Sequence, residues 1–290
     1  MAYDNFKEKV WAKGIQKELE RLHIFADGVN KEYTGVIKNL GDTVRIKNIG
    51  KPTVTTDVFD ASSRGITLSS PEVVPDSTVS LVIDHWSTFN FKVDDIDEAQ
   101  GASGVMDALK GEVSEGLADE QDRFIAGLVK GDVGVQTWND KYNSGDVVTL
   151  TKDNLFSVVD QAQQALFELD VKPSTQLDMI IPPWVNTLFR QNFIKMDTDN
   201  SAVLKNGRVG MYGDINLKMS NNVAYDVVDD SKVFYIQLRT NRAIAFVEQT
   251  THLEPYRPQS EFSDAIKGFN LWGGKIVRPK EIITIKCKFQ

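Results

Sequence analysis

The sequence predicts an α+β fold in which helices and strands are mixed along the whole chain. Three observations predict it. Apolar residues recur at helical spacing within residues 5–25, 98–130 and 153–169. Apolar and polar residues alternate through 40–93 and again through 252–289. Between them lie short apolar runs closed by proline or glycine, such as Leu177–Ile181 before Pro182-Pro183.

Composition bounds the answer. With 290 residues, 41% hydrophobic and 26% charged, the chain is long enough to bury a sizeable core. No run of about 18 apolar residues is present to form a membrane helix. The opening MAYDNFKEKVWAKG lacks the apolar stretch of a secretion signal, so synthesis and action in the cytosol are expected. A single cysteine, Cys287, rules out an intramolecular disulfide. It sits in the alternating run Ile283–Phe289 and reads as a strand residue. The net charge of −8 argues against a protein that coats DNA through its whole surface. The charge is uneven: residues 57–130 hold 15 acids against 5 bases, whereas bases outnumber acids 5 to 2 over 31–51. A basic arm beside an acidic body suits contact with another copy, and two solvated faces fit the same counts.

Each element follows in order. Trp11, Ile15, Leu19 and Leu22 form a narrow stripe, better suited to an arm lying on another surface than to a core helix. Val44 and Ile46, then Val79, Leu81 and Ile83, then Phe89, Phe91 and Val93 mark extended structure over 40–93 that includes a long projecting hairpin. Val105, Leu109, Val113, Leu117, Phe124 and Leu128 mark the longest helical region. Its glycines, among them Gly111, Gly116 and Gly127, weaken it by about 1 kcal/mol each and leave room for a close neighbour. Residues 131–150 read as loop. The stripe Leu155, Val158, Val159, Ala162, Ala165, Leu166, Leu169 is the clearest helix, with Asp153 or Thr151 as its cap. A buried strand at 177–181 and a helix opened by Pro183 follow. Residues 197–213 read as a polar loop, and strands are expected near 215–219, 233–239 and 243–248. The extended arms on the N-terminal side are too long and polar to support themselves, so they must find a partner surface or stay disordered.

The residues ask for little chemistry. His23, His85 and His252 stand in no metal-ligand spacing. Asp84 and His85, as strand neighbours, are expected to point to opposite faces, so Asp84 does not orient the ring. Asp197–Ser201 starts like a calcium loop, but the sixth and twelfth positions are Ala202 and Arg208 rather than Gly and Glu. The acids Asp94–Glu98 favour the start of the following helix. Gly207–Gly213 lacks the Lys-Ser/Thr of a phosphate loop and reads as a turn. No catalytic, cofactor-binding or metal residue is assigned, and no cofactor is expected.

Four blocks, taken in order, resemble the major capsid proteins of tailed phages with the HK97 fold, close to the P22-coat-like branch. They are Trp11–Leu19 with Lys31–Gly35 and Gly41–Ile46; Leu81–Asp84 with Phe89–Asp95; Asn206–Gly210 with Asp214–Lys218 and Ser220–Asn222; and Leu253–Arg257 with Phe262–Gly268 and Trp272–Lys280. Each is weak alone, but together they span almost the whole chain. The resemblance implies an N-terminal arm (1–35), an E-loop hairpin with flanking strands (36–95), a peripheral domain with a spine helix (96–150), an axial domain (151–250) and returning peripheral strands (251–290). It implies a shell subunit that forms pentamers and hexamers around double-stranded DNA, contacted without sequence preference. A separate scaffolding protein and a portal are expected assembly partners, a membrane is not, and the place of action is the virion after assembly in the bacterial cytoplasm. Intersubunit contacts are expected at Trp11, Ile15, Leu19, Lys31, Arg45, Lys47, Lys51 and Arg64. The alternatives are an encapsulin-like nanocompartment shell and a soluble enzyme with an unrecognised site.

Overall fold

The structure is a computed structural model; it describes residues 18, 22–33, 43–49, 54, 76–94, 105–130, 132, 134–193, 208–259 and 263–289. Strand β1 (Thr43–Ile49) pairs antiparallel with β2 (Asp76–Val82), with Thr43 opposite Val82 and Ile49 opposite Asp76. This is the hairpin that the alternation predicts, and residues 50–75 connect its two strands. Ile46 and Leu81 are buried at its root, whereas Thr43, Arg45 and Val82 face solvent.

Strand β3 (His85–Asp94) leads to the long helix α1 (Val105–Gly127), which tightens into a 3-10 turn at Leu128–Lys130. Leu117 and Ala118 of α1 pack on Phe89, Phe91 and Ile266. The helix also buries Ser114, Gln121 and Asp122, which the apolar stripe does not foretell. A Cβ at Gly111, Gly116 or Gly127 would meet nothing within 4 Å, so no part of the described chain uses the room that these glycines leave.

Residues 131–150 are not a plain loop. They contain β4 (Gln136–Thr137), the short helix α2 (Trp138–Tyr142) and β5 (Val148–Leu150). Trp138 and Asn139 are buried. The Asn139 amide donates to the carbonyls of Asp146 (2.7 Å) and Lys286 (2.8 Å) and accepts from the Lys286 N–H (2.7 Å). A residue type that usually marks turns here supplies buried backbone groups with partners that they must have.

Helix α3 (Leu155–Glu168) forms where its stripe predicts. Neither Asp153 nor Thr151 caps it with a side chain: Asn154 is the N-cap residue, and its side-chain oxygen instead accepts from the Thr151 N–H (2.8 Å). Strand β6 (Leu177–Ile181) buries all five residues, and α4 (Pro183–Phe193) starts on a proline whose missing N–H the first turn would leave unpaired anyway.

Residues 208–212, expected to be loop and turn, form β7 (Arg208–Tyr212), antiparallel to β8 (Ile215–Met219) across a tight turn. The pair β9 (Tyr225–Val228) and β10 (Ser231–Thr240) joins through Asp229 and Asp230, with φ of 48° and 61°. Positive φ at both central residues is the habit of a two-residue hairpin turn, and two aspartates adopt it without glycine. Strands β11 (Ile244–Tyr256), β12 (Ser263–Ile276) and β13 (Ile282–Phe289) complete the chain.

The strands make three sheets. The largest runs β4-β13-β10-β6-β8-β7, with β5 also beside β13 and β9 beside β10; β11-β12-β3 is the second and β1-β2 the third. On one face of the large sheet α3 and α4 bury Val159, Leu166, Val185 and Phe189 against Leu177, Met179, Leu238 and Ile285. On the other, Ile180 joins Phe25, Ile125, Ile244, Phe246 and Trp272. With both faces covered, β6 reads as a continuous apolar run rather than an alternation. Hairpin and second sheet meet closely: a Cβ at Gly273 of β12 would stand 2.5 Å from the Val82 carbonyl oxygen, so only glycine admits this approach.

Candidate functional site

Two features stand out: a hairpin rooted on the second sheet, and a segment of the N-terminal region clasped into the body. The hairpin root packs Ile46, Leu81 and Ile83 on Ala245 and Val247, with Tyr33 and Val44 at the margin. Val54, described beyond β1, is 83% exposed. On the outer face of the second sheet, Trp86 and Phe269 are exposed. The inner face holds His85, stacked on Trp272 with ring centroids 4.7 Å apart and 4.5 Å from Phe124 of α1. Contrary to the opposite-face expectation, Asp84 does reach His85, at 2.5 Å from Nδ1. Asp84 lies between β2 and β3 rather than inside a strand, so the alternation of a pleated strand does not govern it.

The clasp spans residues 23–31. Asp122 of α1 accepts backbone N–H groups from Ile24 (2.9 Å), Phe25 (3.2 Å) and Ala26 (3.1 Å). The buried His23 ring stands 3.4 Å from Asp122 through Nδ1 and 3.9 Å from Glu248 of β11 through Nε2. Burial alone would lower the His23 pKa, but the two carboxylates outweigh it and the net shift is upward. Glu248 is lowered: burial pushes it up, and the His23 and Lys31 charges more than reverse that.

Arg239 of β10 is fully buried and donates to the Phe25 carbonyl at 2.6 Å. Burial pulls its guanidinium down to about 10, against the opposing fields of Asp178 and Asp122. Lys218 of β8 sits between Asp27 and Asp178, 3.0 Å from each. A Cβ at Gly28 would lie 2.5 Å from the Asp178 carboxylate, so the chain passes here as glycine. Finally Asn30 makes a parallel bridge beside β11, donating to the Ile244 carbonyl (2.9 Å) and accepting from Phe246 N–H (3.0 Å).

Of the expected contact residues, Trp11, Ile15, Leu19, Lys51 and Arg64 lie outside the described residues. Lys31 is 3.8 Å from Glu248 of its own chain. Arg45 is exposed on β1 opposite Ser80, and Lys47 lies opposite Thr78. Sequence reasoning missed Asp122, Glu248 and Arg239, whose partners are too distant along the chain for any spacing rule. Among the described residues no group of three or more His, Cys, Asp or Glu could hold a metal ion, and no helix is long and apolar enough to cross a membrane. Cys287 is buried in β13, and burial pushes its thiol up, away from reactivity.

No family model matches the sequence, and no curated protein matches it either. Solved structures do. One from Mycobacterium phage Che8 is 25% identical, with 91% of this chain and 90% of that one covered and a TM-score of 0.66. The capsid of Ralstonia phage GP4 is 12% identical, covering 91% and 87%, with a TM-score of 0.64. A virus-like particle from Pyrococcus furiosus is 12% identical, covering 96% and 99%, with a TM-score of 0.56.

The chain has the HK97-like capsid fold. In this HK97-like chain the long helix α1 packs on the second sheet at Phe89, Phe91 and Ile266, and the β1–β2 hairpin roots on the same sheet at Ala245 and Val247. The clasp beneath them ties the N-terminal region, α1 and β11 into one junction.

Proposed function

We propose that this protein is the major capsid protein of a tailed phage, a structural subunit that assembles into the icosahedral head around double-stranded DNA. The observation that carries the reading is the agreement of about nine tenths of the chain, in order, with solved phage capsids. The described geometry is in keeping with it: a hairpin packed on the body at its root, with Arg45, Val54 and Val82 exposed, and exposed Trp86 and Phe269 on the outer sheet face. Heterologous contacts of this kind close into rings, and rings into a shell. Each can be weak, because many act together.

The finer reading divides the chain into arm (1–35), E-loop region (36–95), peripheral domain with α1 as spine helix (96–150), axial domain (151–250) and returning strands (251–290). Trp11, Ile15, Leu19, Lys31, Arg45, Lys47, Lys51 and Arg64 would meet neighbouring copies, with Lys31 shared between a neighbour and Glu248. A scaffolding protein and a portal would assist assembly in the bacterial cytoplasm, and packaged DNA would touch the finished interior without sequence preference. The protein acts by assembly and not as an enzyme.

Electron microscopy of the expressed protein tests this. Closed shells or rings of five and six subunits are expected, and a monomer at all concentrations would overturn the reading. The virus-like particle match supports a second reading, a nanocompartment shell, with a lower TM-score than the Che8 and GP4 structures. Nucleic acid rather than protein inside particles from infected cells separates the two.

A further inference from the structure

Most buried charges in the clasp have fixed partners. His23 differs, because its charge is conditional. Its side chain is fully buried, and its two ring nitrogens approach two carboxylates from different elements, Asp122 on α1 and Glu248 on β11, whose side chains are 3% and 6% exposed. At 3.4 and 3.9 Å the ring nitrogens stand beside both carboxylates without a fully formed hydrogen bond to either. The remaining face of the ring meets the edge of Phe246, centroids 6.4 Å apart.

The other charged groups at this junction are few. Lys31, from the clasp segment itself, reaches Glu248. Arg239, from β10, bonds to Phe25 O, and its charge bears on Asp122. Glu248 therefore has Lys31 beside it, Asp122 lies in the field of Arg239, and both share the conditional charge of His23.

We infer that His23 is a proton-dependent lock: its protonated ring bridges Asp122 and Glu248 and holds residues 23–26 against α1 and β11, and loss of that proton loosens the clasp. Asp122 is the point of leverage, since the same carboxylate accepts the N–H groups of Ile24, Phe25 and Ala26. A neutral ring between two carboxylates no longer offsets their mutual repulsion across the junction. The sign follows from linkage. The folded-state pKa of His23 lies above its ordinary value, so the contribution is complete below that value and fades as pH rises through the folded one. Glu248, shifted down, sets the acid limit in the opposite sense.

The significance for assembly rests on the shell-building reading: a clasp that loosens with rising pH would let the segment before it change its course between neighbouring copies. The lock itself is tested in the full-length unassembled chain. In an H85Q/H252Q background one imidazole remains, and its carbon-bound proton resonance is followed by NMR against pH. A midpoint above 6.5 is expected; a midpoint at or below it overturns the lock. Hydrogen exchange at Ile24–Ala26, corrected for intrinsic rates, is read in parallel from about pH 6 to about pH 9. Protection is expected to fall by about tenfold for each unit by which the midpoint exceeds the ordinary value. H23Q, which keeps similar volume without the charge, should lose that dependence; the same dependence in H23Q overturns the lock. Shells seen by microscopy with an unshifted His23 would sink the lock and spare the assembly reading. A shifted His23 in a protein that never assembles would do the reverse.

Discussion

The large sheet and the β1–β2 hairpin draw on the same β-branched residues, yet they find cover in opposite ways. Strand β6 has all five residues buried, because α3 and α4 cover one face and the Phe25–Phe246 cluster the other. Among the described residues of the hairpin Ile46 and Leu81 are buried, and they pack on β11, whereas Thr43, Arg45, Thr78 and Val82 are exposed. The large sheet is thus closed by its own chain, while the described part of the hairpin has its cover at the root. The difference teaches where this chain supplies its own packing: the body is covered on both faces of its sheet, and the proposed assembly assigns the cover of the hairpin to another copy.

The largest effect should come from emptying the body. Phe189→Ala removes a fully buried ring between α4 and the sheet and should cost about 4 kcal/mol, read as a lower urea midpoint. Ile46→Ala at the hairpin root should cost about 2 kcal/mol, because that site is shallower and open to solvent on one side. Equal costs would erase the distinction.

Next comes Asn139→Ala, which strands the Lys286 N–H and two carbonyls in the body; denaturation should report a loss of about 3 kcal/mol. Replacing residues 50–75 by Asn-Gly should change the stability of the unassembled chain by only about 2 kcal/mol, as a gain from the shorter loop. The same replacement should abolish shells in micrographs, which would sharpen the division between folding and assembly. The smallest effect concerns Cys287: an aromatic disulfide reagent at mildly alkaline pH should leave the native thiol unmodified and react fully after unfolding, because burial both shields it and raises its pKa.

How far the sequence carried the fold follows from the reach of its signals. Helix α3 and strand β6 were legible because their apolar patterns match their periods within a dozen residues. The hairpin was legible from Val44, Ile46, Leu81 and Ile83, which alternate as half-buried strands do. Residues 131–150 misled because Asn139, Asn143 and Gly145 are turn formers by propensity, and only the tertiary pairing with Lys286 explains a buried asparagine. Strand β7 was hidden by Gly207, Gly210 and Gly213. The His23 clasp was out of reach: Asp122 and Glu248 are brought to it by the packing of α1 and β11, and no local pattern encodes that meeting. The described contact residues Lys31, Arg45 and Lys47 were chosen by charge, and a single chain leaves them as a proposal about its neighbours.

Hydrogen exchange, compared between unassembled and assembled protein, tests the division most directly. The account predicts that amides of β6 and β10 are equally protected in both states, whereas peptides covering Lys47–Thr78 become protected only on assembly. Full protection of Lys47–Thr78 in the unassembled chain, unchanged on assembly, would contradict it.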